Sequence, residues 1–133
     1  MSHYDLYNRQ KPFADLLGET LISATGEVGG DEIRFVTESG KTFLMYHSQD
    51  CCESVHVESI VGDLADLIGA PILTAEEAVG PRPVEAGPAN EYMDSETWTF
   101  YKLATIKGYV DIRWHGESNG YYSESVDFAQ EAP

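Results

Sequence analysis

The residues best suited to chemistry lie in one run, Met45 to Ser59, "MYHSQDCCESVHVES", where adjacent cysteines stand between Asp50 and Glu53 and are bracketed by His47 and His56. Imidazole and thiolate are the ligands of tetrahedral zinc, so His47, Cys51 and Cys52 are the candidates for a metal site. The spacing opposes that use, because neighbouring residues of an extended chain point to opposite faces and zinc motifs separate their cysteines by at least two residues. A thiol nucleophile would be Cys51 or Cys52, with His47 as base and Asp50 to orient it. Carboxylates beside a thiol disfavour the thiolate, however, and no basic residue stands close in sequence. Adjacent cysteines also close only a strained ring, so both thiols are expected to be reduced. No cofactor is expected.

A second candidate is the turn "WHGESNGYYSES" from Trp114 to Ser125. Gly116, Glu117, Ser118, Asn119 and Gly120 form a loop with the rings of Trp114, Tyr121 and Tyr122 at its base. Such a turn suits small-molecule recognition: rings stack, Asn119 both donates and accepts, and Arg113 with Lys102 would meet an anionic ligand. The plainer reading is a hairpin end braced by aromatic packing. Carboxylate pairs such as Asp50 with Glu53 or Glu117 with Glu124 are uninformative in a chain with 23 acids. The sequence has no glycine-rich phosphate loop, nucleophile elbow or HExxH, and no enzymatic activity is expected.

These segments must be held by strands. Period-two alternation cut by turn signals predicts strands at Thr20 to Thr25, Glu32 to Thr37, Thr42 to His47 and Val55 to Val61, with a hairpin at Ser39-Gly40. "GDLADLIGAPIL" predicts a short helix capped by Asp63 and stopped by Gly69 and Pro71, and Ile72 to Ala75 is a further strand. In the last third, Trp98, Phe100, Ala104 and Ile106 share one strand face. Val110, Ile112 and Trp114 share a face of the next strand, with Lys107-Gly108 as the turn between. Tyr121 to Phe128 completes three successive antiparallel strands. The fold expected is α+β: a mainly antiparallel curved sheet around one or two short helices, in a single domain over residues 18–133. Residues 1–17 form an N-terminal arm, and residues 78–96 an acidic, proline-rich exposed loop.

The 133 residues carry 23 acids against eight bases, a formal net charge of −15. That field repels nucleic acid and anionic lipid and favours a basic protein surface. No apolar run approaches the length that spans a bilayer, and the first residues lack the apolar segment of a signal peptide, so a cytosolic protein is expected.

The segments "MYHSQDCCESV", "GDLADLIGAPIL", "WTFYKLATIKGYVDIRW" and "GESNGYYSESVDF" together resemble a family of small domains of unknown function found mainly in bacteriophages and prophages, over about Gly18 to Phe128. The family pattern centres on Tyr46, His47, Gln49, Asp50, Cys51, Cys52 and Glu53, and on Gly116 to Tyr122. His56, the N-terminal arm and the proline-rich loop fall outside it. The resemblance supplies context rather than a mechanism. Together with the charge, it implies a non-enzymatic accessory protein that binds a host protein through a basic surface, for example to block a defence or nucleic-acid-handling protein. The alternatives are a small-molecule binder, such as a sponge for a nucleotide signal, and a Cys/His metal or thiol site. The residues expected to contact partner or ligand are His47, Asp50, Cys51, Cys52, Glu53, Arg113, Glu117, Ser118, Asn119, Tyr121 and Tyr122.

Overall fold

The computed structural model describes residues 6–92 and 94–132. Alternating apolar residues lay down β1 (Leu21–Thr25), β2 (Glu32–Thr37), β3 (Thr42–Tyr46), β4 (Ser54–Val61), β5 (Thr74–Gly80), β6 (Ser95–Thr105), β7 (Gly108–Ser118) and β8 (Asp127–Gln130). They pair antiparallel into two four-stranded sheets, ordered β1-β2-β3-β8 and β4-β7-β6-β5.

Each sheet has one apolar face, and the two faces close on one core. Ile33, Phe35, Phe43, Met45 and Phe128 of the first sheet meet Val57, Tyr101, Leu103, Ile112 and Trp114 of the second. The indole N–H of Trp114, fully buried, donates across the interface to the Met45 sulfur at 3.0 Å. Burying each such large side chain stabilises the fold by about 1.5–3 kcal/mol.

The expected helix does not organise the fold. Asp63 does cap the segment, its Oδ1 accepting from the Ala65 amide at 2.9 Å, but Leu64–Leu67 is a single 3-10 turn. The other helical elements described, Tyr7–Arg9, Phe13–Leu16 and Val84–Ala86, are also 3-10 turns. The mainly antiparallel expectation holds, but a second sheet, not a helix, covers the first.

Two further expectations are corrected. The final strand is shorter, and it leaves β7 to pair with β3, because β4 and β6 already occupy both edges of β7. The β6–β7 hairpin pairs Thr105 with Gly108, which makes Ile106-Lys107 the turn and leaves Ile106 exposed at its tip. The Ser39-Gly40 hairpin forms as expected, with Gly40 at φ 92°, a conformation glycine adopts without a side-chain penalty.

The face of β6 carrying Trp98 and Phe100 is the outer one; Tyr101 and Leu103 point to the core. Trp98 is nevertheless buried, because residues 81–92, in the proline-rich connection from β5 to β6, turn back toward it. Arg82 stacks over its ring at 5.4 Å and Arg113 at 5.6 Å. The segment read as an arm is also fastened down over its described residues. Leu6 and Leu16 are fully buried and Phe13 packs on Tyr101, with ring centroids 4.7 Å apart.

Candidate functional site

The chain crosses from one sheet to the other through residues 47–53, and the crossing is knotted around one carboxylate. Glu53, fully buried at its side chain, accepts from the Asp50 amide and the His47 Nε2 on one oxygen, at 2.9 and 2.7 Å. Its other oxygen accepts from the Cys51 amide at 2.9 Å and from Gln49 Nε2 at 3.0 Å. Burial alone would push the carboxyl upward. The Cys51 and Asp50 amides and the His47 imidazole outweigh it and hold Glu53 down to about 2. The other nitrogen of His47 lies 2.6 Å from the Ser125 carbonyl. Both ring nitrogens therefore face oxygen atoms of the loop and its neighbour, which fixes the ring in place.

The second motif is built the same way around Glu124. Its carboxylate accepts from the hydroxyls of Thr97, at 2.7 Å, Ser95, at 3.2 Å, and Ser118. The backbone of residue 124 passes so close to β7 that only glycine fits opposite. A Cβ on Gly116 would lie 2.8 Å from the Glu124 carbonyl oxygen and 2.9 Å from its Cβ.

The register of β4 on β7, with Ser54 opposite Glu117 and Val55 opposite Gly116, brings the two motifs to the same end of the second sheet. A cleft of about 230 Å³ lies between them, lined by Cys52, Ser54, Asn90, Glu117, Asn119 and Tyr122 among others. Ser118 and Tyr92 also border it. Tyr121 stands exposed beside it, edge-on to Tyr122 with centroids 5.0 Å apart. His47 and Asp50 open instead onto a neighbouring hollow of about 340 Å³ with Ser125 and Asp127.

Arg113 is not part of this end. It shares an outer-face groove of about 250 Å³ with Lys102, but also with Glu85 and Asp111. Its guanidinium bonds to Glu58, which holds it above the ordinary arginine value. The pairing of Arg113 with the aromatic turn around an anionic ligand is therefore not assembled.

The metal and thiol candidates change as well. The bend at residues 51–52 replaces the extended chain, so the sulfurs of Cys51 and Cys52 meet in a disulfide rather than standing as reduced thiols on opposite faces. His47 commits both nitrogens to Glu53 and Ser125. Among the described residues no three His, Cys, Asp or Glu converge on an ion-sized site.

Gln49 stood in the family pattern and Glu124 in a carboxylate pair set aside as uninformative; Thr97, Ser125 and Asp127, whose Oδ2 accepts from the Ser48 amide at 3.0 Å, were not singled out. The signal for residues 124, 125 and 127 was the run "SESVD" of short polar side chains, where a continuous strand was expected.

Residues 14–128 match the model of a family described as a domain of unknown function (DUF7448). The chain belongs to this family. The DUF7448 span takes in both motif loops and also runs across residues 78–96, which were expected to lie outside the resemblance. No curated protein and no solved structure matches the chain. Among the described residues no helix is long and apolar enough to cross a membrane.

Proposed function

We propose that this DUF7448 protein is a non-enzymatic binding module that engages a basic surface on another protein. Its place is the cytosol of a bacterial host, as a phage-type accessory factor that modulates a host defence or nucleic-acid-binding protein. The observation that carries the reading is how the fold distributes its charge. Asp15, Glu27, Asp31, Glu38, Asp50, Asp63, Glu76, Glu77, Glu85, Glu91 and Asp94 are exposed, against Lys11, Lys41, Lys102 and Lys107 and no arginine among the described residues. The arginines are spent on the fold. Arg34 pairs with Glu131 at 3.0 Å, Arg82 with Glu96 at 2.6 Å and Arg113 with Glu58, while Arg9 donates to the Gln130 carbonyl at 2.7 Å. Half of the positive charge is tied up in these arginine contacts at the surface while negative charge predominates among the exposed residues, which favours a cationic partner and speeds its encounter.

The engaged groups of the first motif support the non-enzymatic part. An imidazole whose two nitrogens are engaged by Glu53 and the Ser125 carbonyl is positioned by the fold rather than left free as a base.

The test is capture of host proteins on the immobilised chain, followed by titration of the purified partner at low and high salt. A saturable complex that weakens with salt supports the reading. Salt-independent binding, or turnover of a compound by the purified chain, refutes it.

The cleft between Cys52 and Tyr122 favours a second reading, a small-molecule binder, because it joins the two motifs. Its lining contains Glu117 and no lysine or arginine, so its ligand would be neutral or cationic rather than a nucleotide signal. A ligand retained through purification and contacting Tyr122 would favour it over the protein-binding reading.

A further inference from the structure

Two sheets of four strands have four edges, and three of them are covered by other parts of the chain. Along β1, the Gly69 amide donates to the Leu21 carbonyl at 2.9 Å, and Leu21 bridges Ile68. Along β8, Gln10 bridges Ala129 and the Lys11 amide donates to Phe128 at 3.0 Å. Along β4, Val57 exchanges two 2.8 Å backbone bonds with Gly29 and Gly30. The fourth edge, β5 from Thr74 to Gly80, has no such backbone pairing, although the Phe13–Leu16 turn packs against the strand. Among the described residues its backbone bonds run to β6 alone.

An antiparallel edge strand turns the N–H and C=O of every second residue outward, a row of unpaired groups ready to receive another strand. "TAEEAVG" contains no proline and no bulge to blunt it. Glu76 and Glu77 are both exposed, and their consecutive positions send one carboxylate to each face of the strand. Val79, 71% exposed, adds an apolar contact beside them.

We infer that β5 is a docking edge that takes an extended lysine- or arginine-bearing segment of a partner protein as a fifth strand of the second sheet. The inference rests on the proposed binding of a basic protein and names the surface and the mode. A second copy of this chain is the poorer occupant. Twofold pairing of β5 with itself, centred on Glu77, sets Glu77 against Glu77, and a shift of the centre toward Glu76 sets Glu76 against Glu77. Like charges directly opposite each other destabilise a strand pair, and each copy brings a net charge of −15. A basic strand reverses that sign: cations at successive positions meet Glu76 on one face and Glu77 on the other. Main-chain bonds then supply affinity and the two carboxylates supply the choice of partner.

The test uses the full chain and a nine-residue peptide alternating lysine with valine and threonine. Two derivatives are N-methylated on alternate amides, one on the odd and one on the even positions. Binding is followed by anisotropy and by hydrogen exchange at residues 74–80. The inference predicts that the parent peptide binds and protects alternate amides of β5. One methylated derivative loses about tenfold or more in affinity while the other retains it. Glu76→Lys abolishes binding with an unchanged melting temperature and Glu77→Lys, whose carboxylate also lies beside the buried Tyr101 hydroxyl, abolishes it in a chain still folded by circular dichroism, whereas Glu38→Lys/Asp63→Lys keeps it. Equal binding of all three peptides would overturn strand addition and leave the basic-partner reading standing. Protection elsewhere on the chain, or self-association through β5, would also overturn it. Failure of every basic protein and peptide to bind would remove the underlying reading as well.

Discussion

Replacing Glu53 by Gln keeps the size of the side chain and changes only what it can accept. In the native loop four donors converge on its two oxygens: the amides of Asp50 and Cys51, the His47 ring and Gln49. Glutamine offers one acceptor oxygen and sets an N–H₂ group against donors that previously had a carboxylate. The lowering of Glu53 from 4.5 to about 2 corresponds, at about 1.4 kcal/mol per tenfold change, to on the order of 3 kcal/mol for the ionised carboxylate. Water around the loop trims this figure. Leaving buried donors without the charged acceptor they point at costs about 1–3 kcal/mol, so the expected loss for Glu53→Gln is about 2–3 kcal/mol at pH 7. For a chain of this size that is on the order of 10 °C in Tm. The assay is urea denaturation of the wild type, Glu53→Gln, His47→Ala and the double variant, across pH 2 to 7. A coupling of about 1.5 kcal/mol or more between the two positions is expected. The sign with pH follows from the direction of the shift. A carboxyl depressed in the folded state contributes stability that is complete above its unfolded value of about 4.5 and drains away as pH falls toward 2. Glu53→Gln should flatten that acid limb. A loss below about 0.5 kcal/mol, no coupling, or an unchanged acid limb would mean that the carboxylate does not hold the loop.

Three further outcomes follow from the geometry. Gly116→Ala forces a methyl group to within 2.8 Å of the Glu124 carbonyl and should cost about 1–3 kcal/mol in the same denaturation assay. Arg82→Ala removes the donors to the Gly87 carbonyl at 2.8 Å and the Pro88 carbonyl at 3.0 Å, together with the cation over Trp98. Limited proteolysis within residues 83–92 should accelerate severalfold while global stability falls by no more than about 1 kcal/mol. Trp98→Ala should release the same segment and cost more, about 3 kcal/mol, because it empties a buried ring site on the outer face.

Strand positions were legible because alternation is local. β2 begins and ends where the pattern places it, and β4 differs from expectation by one residue. Which sheet a strand joins was not legible, since that depends on which edges remain open: β8 reaches β3 because β7 has no free edge. The inward face of β6 was hidden for a related reason. Both of its faces carry rings, and Trp98 is buried under Arg82, Arg113 and the His115 ring, across separations that periodicity does not see. At the site, the sequence pointed to the right loops and to the wrong chemistry within them. The residue types of the first motif suggest a metal or a nucleophile, but a bend brings Glu53 under the amides of residues 50 and 51, and the carboxylate becomes the organiser of the loop. Glu124 could not be told from the other acids because its hydroxyl partners come from β6 and β7, some 30 and 6 residues away.

The central claim is that the outward-facing carboxylates recognise a cationic protein. The most direct measurement is calorimetric titration of the captured, purified host partner into this chain at 50 and 300 mM salt, concentrations chosen to span the change in Debye length from about 14 to about 6 Å. A saturable complex whose Kd rises severalfold between the two is the result predicted. A Kd indifferent to salt, or a partner whose contact surface is acidic, would contradict it.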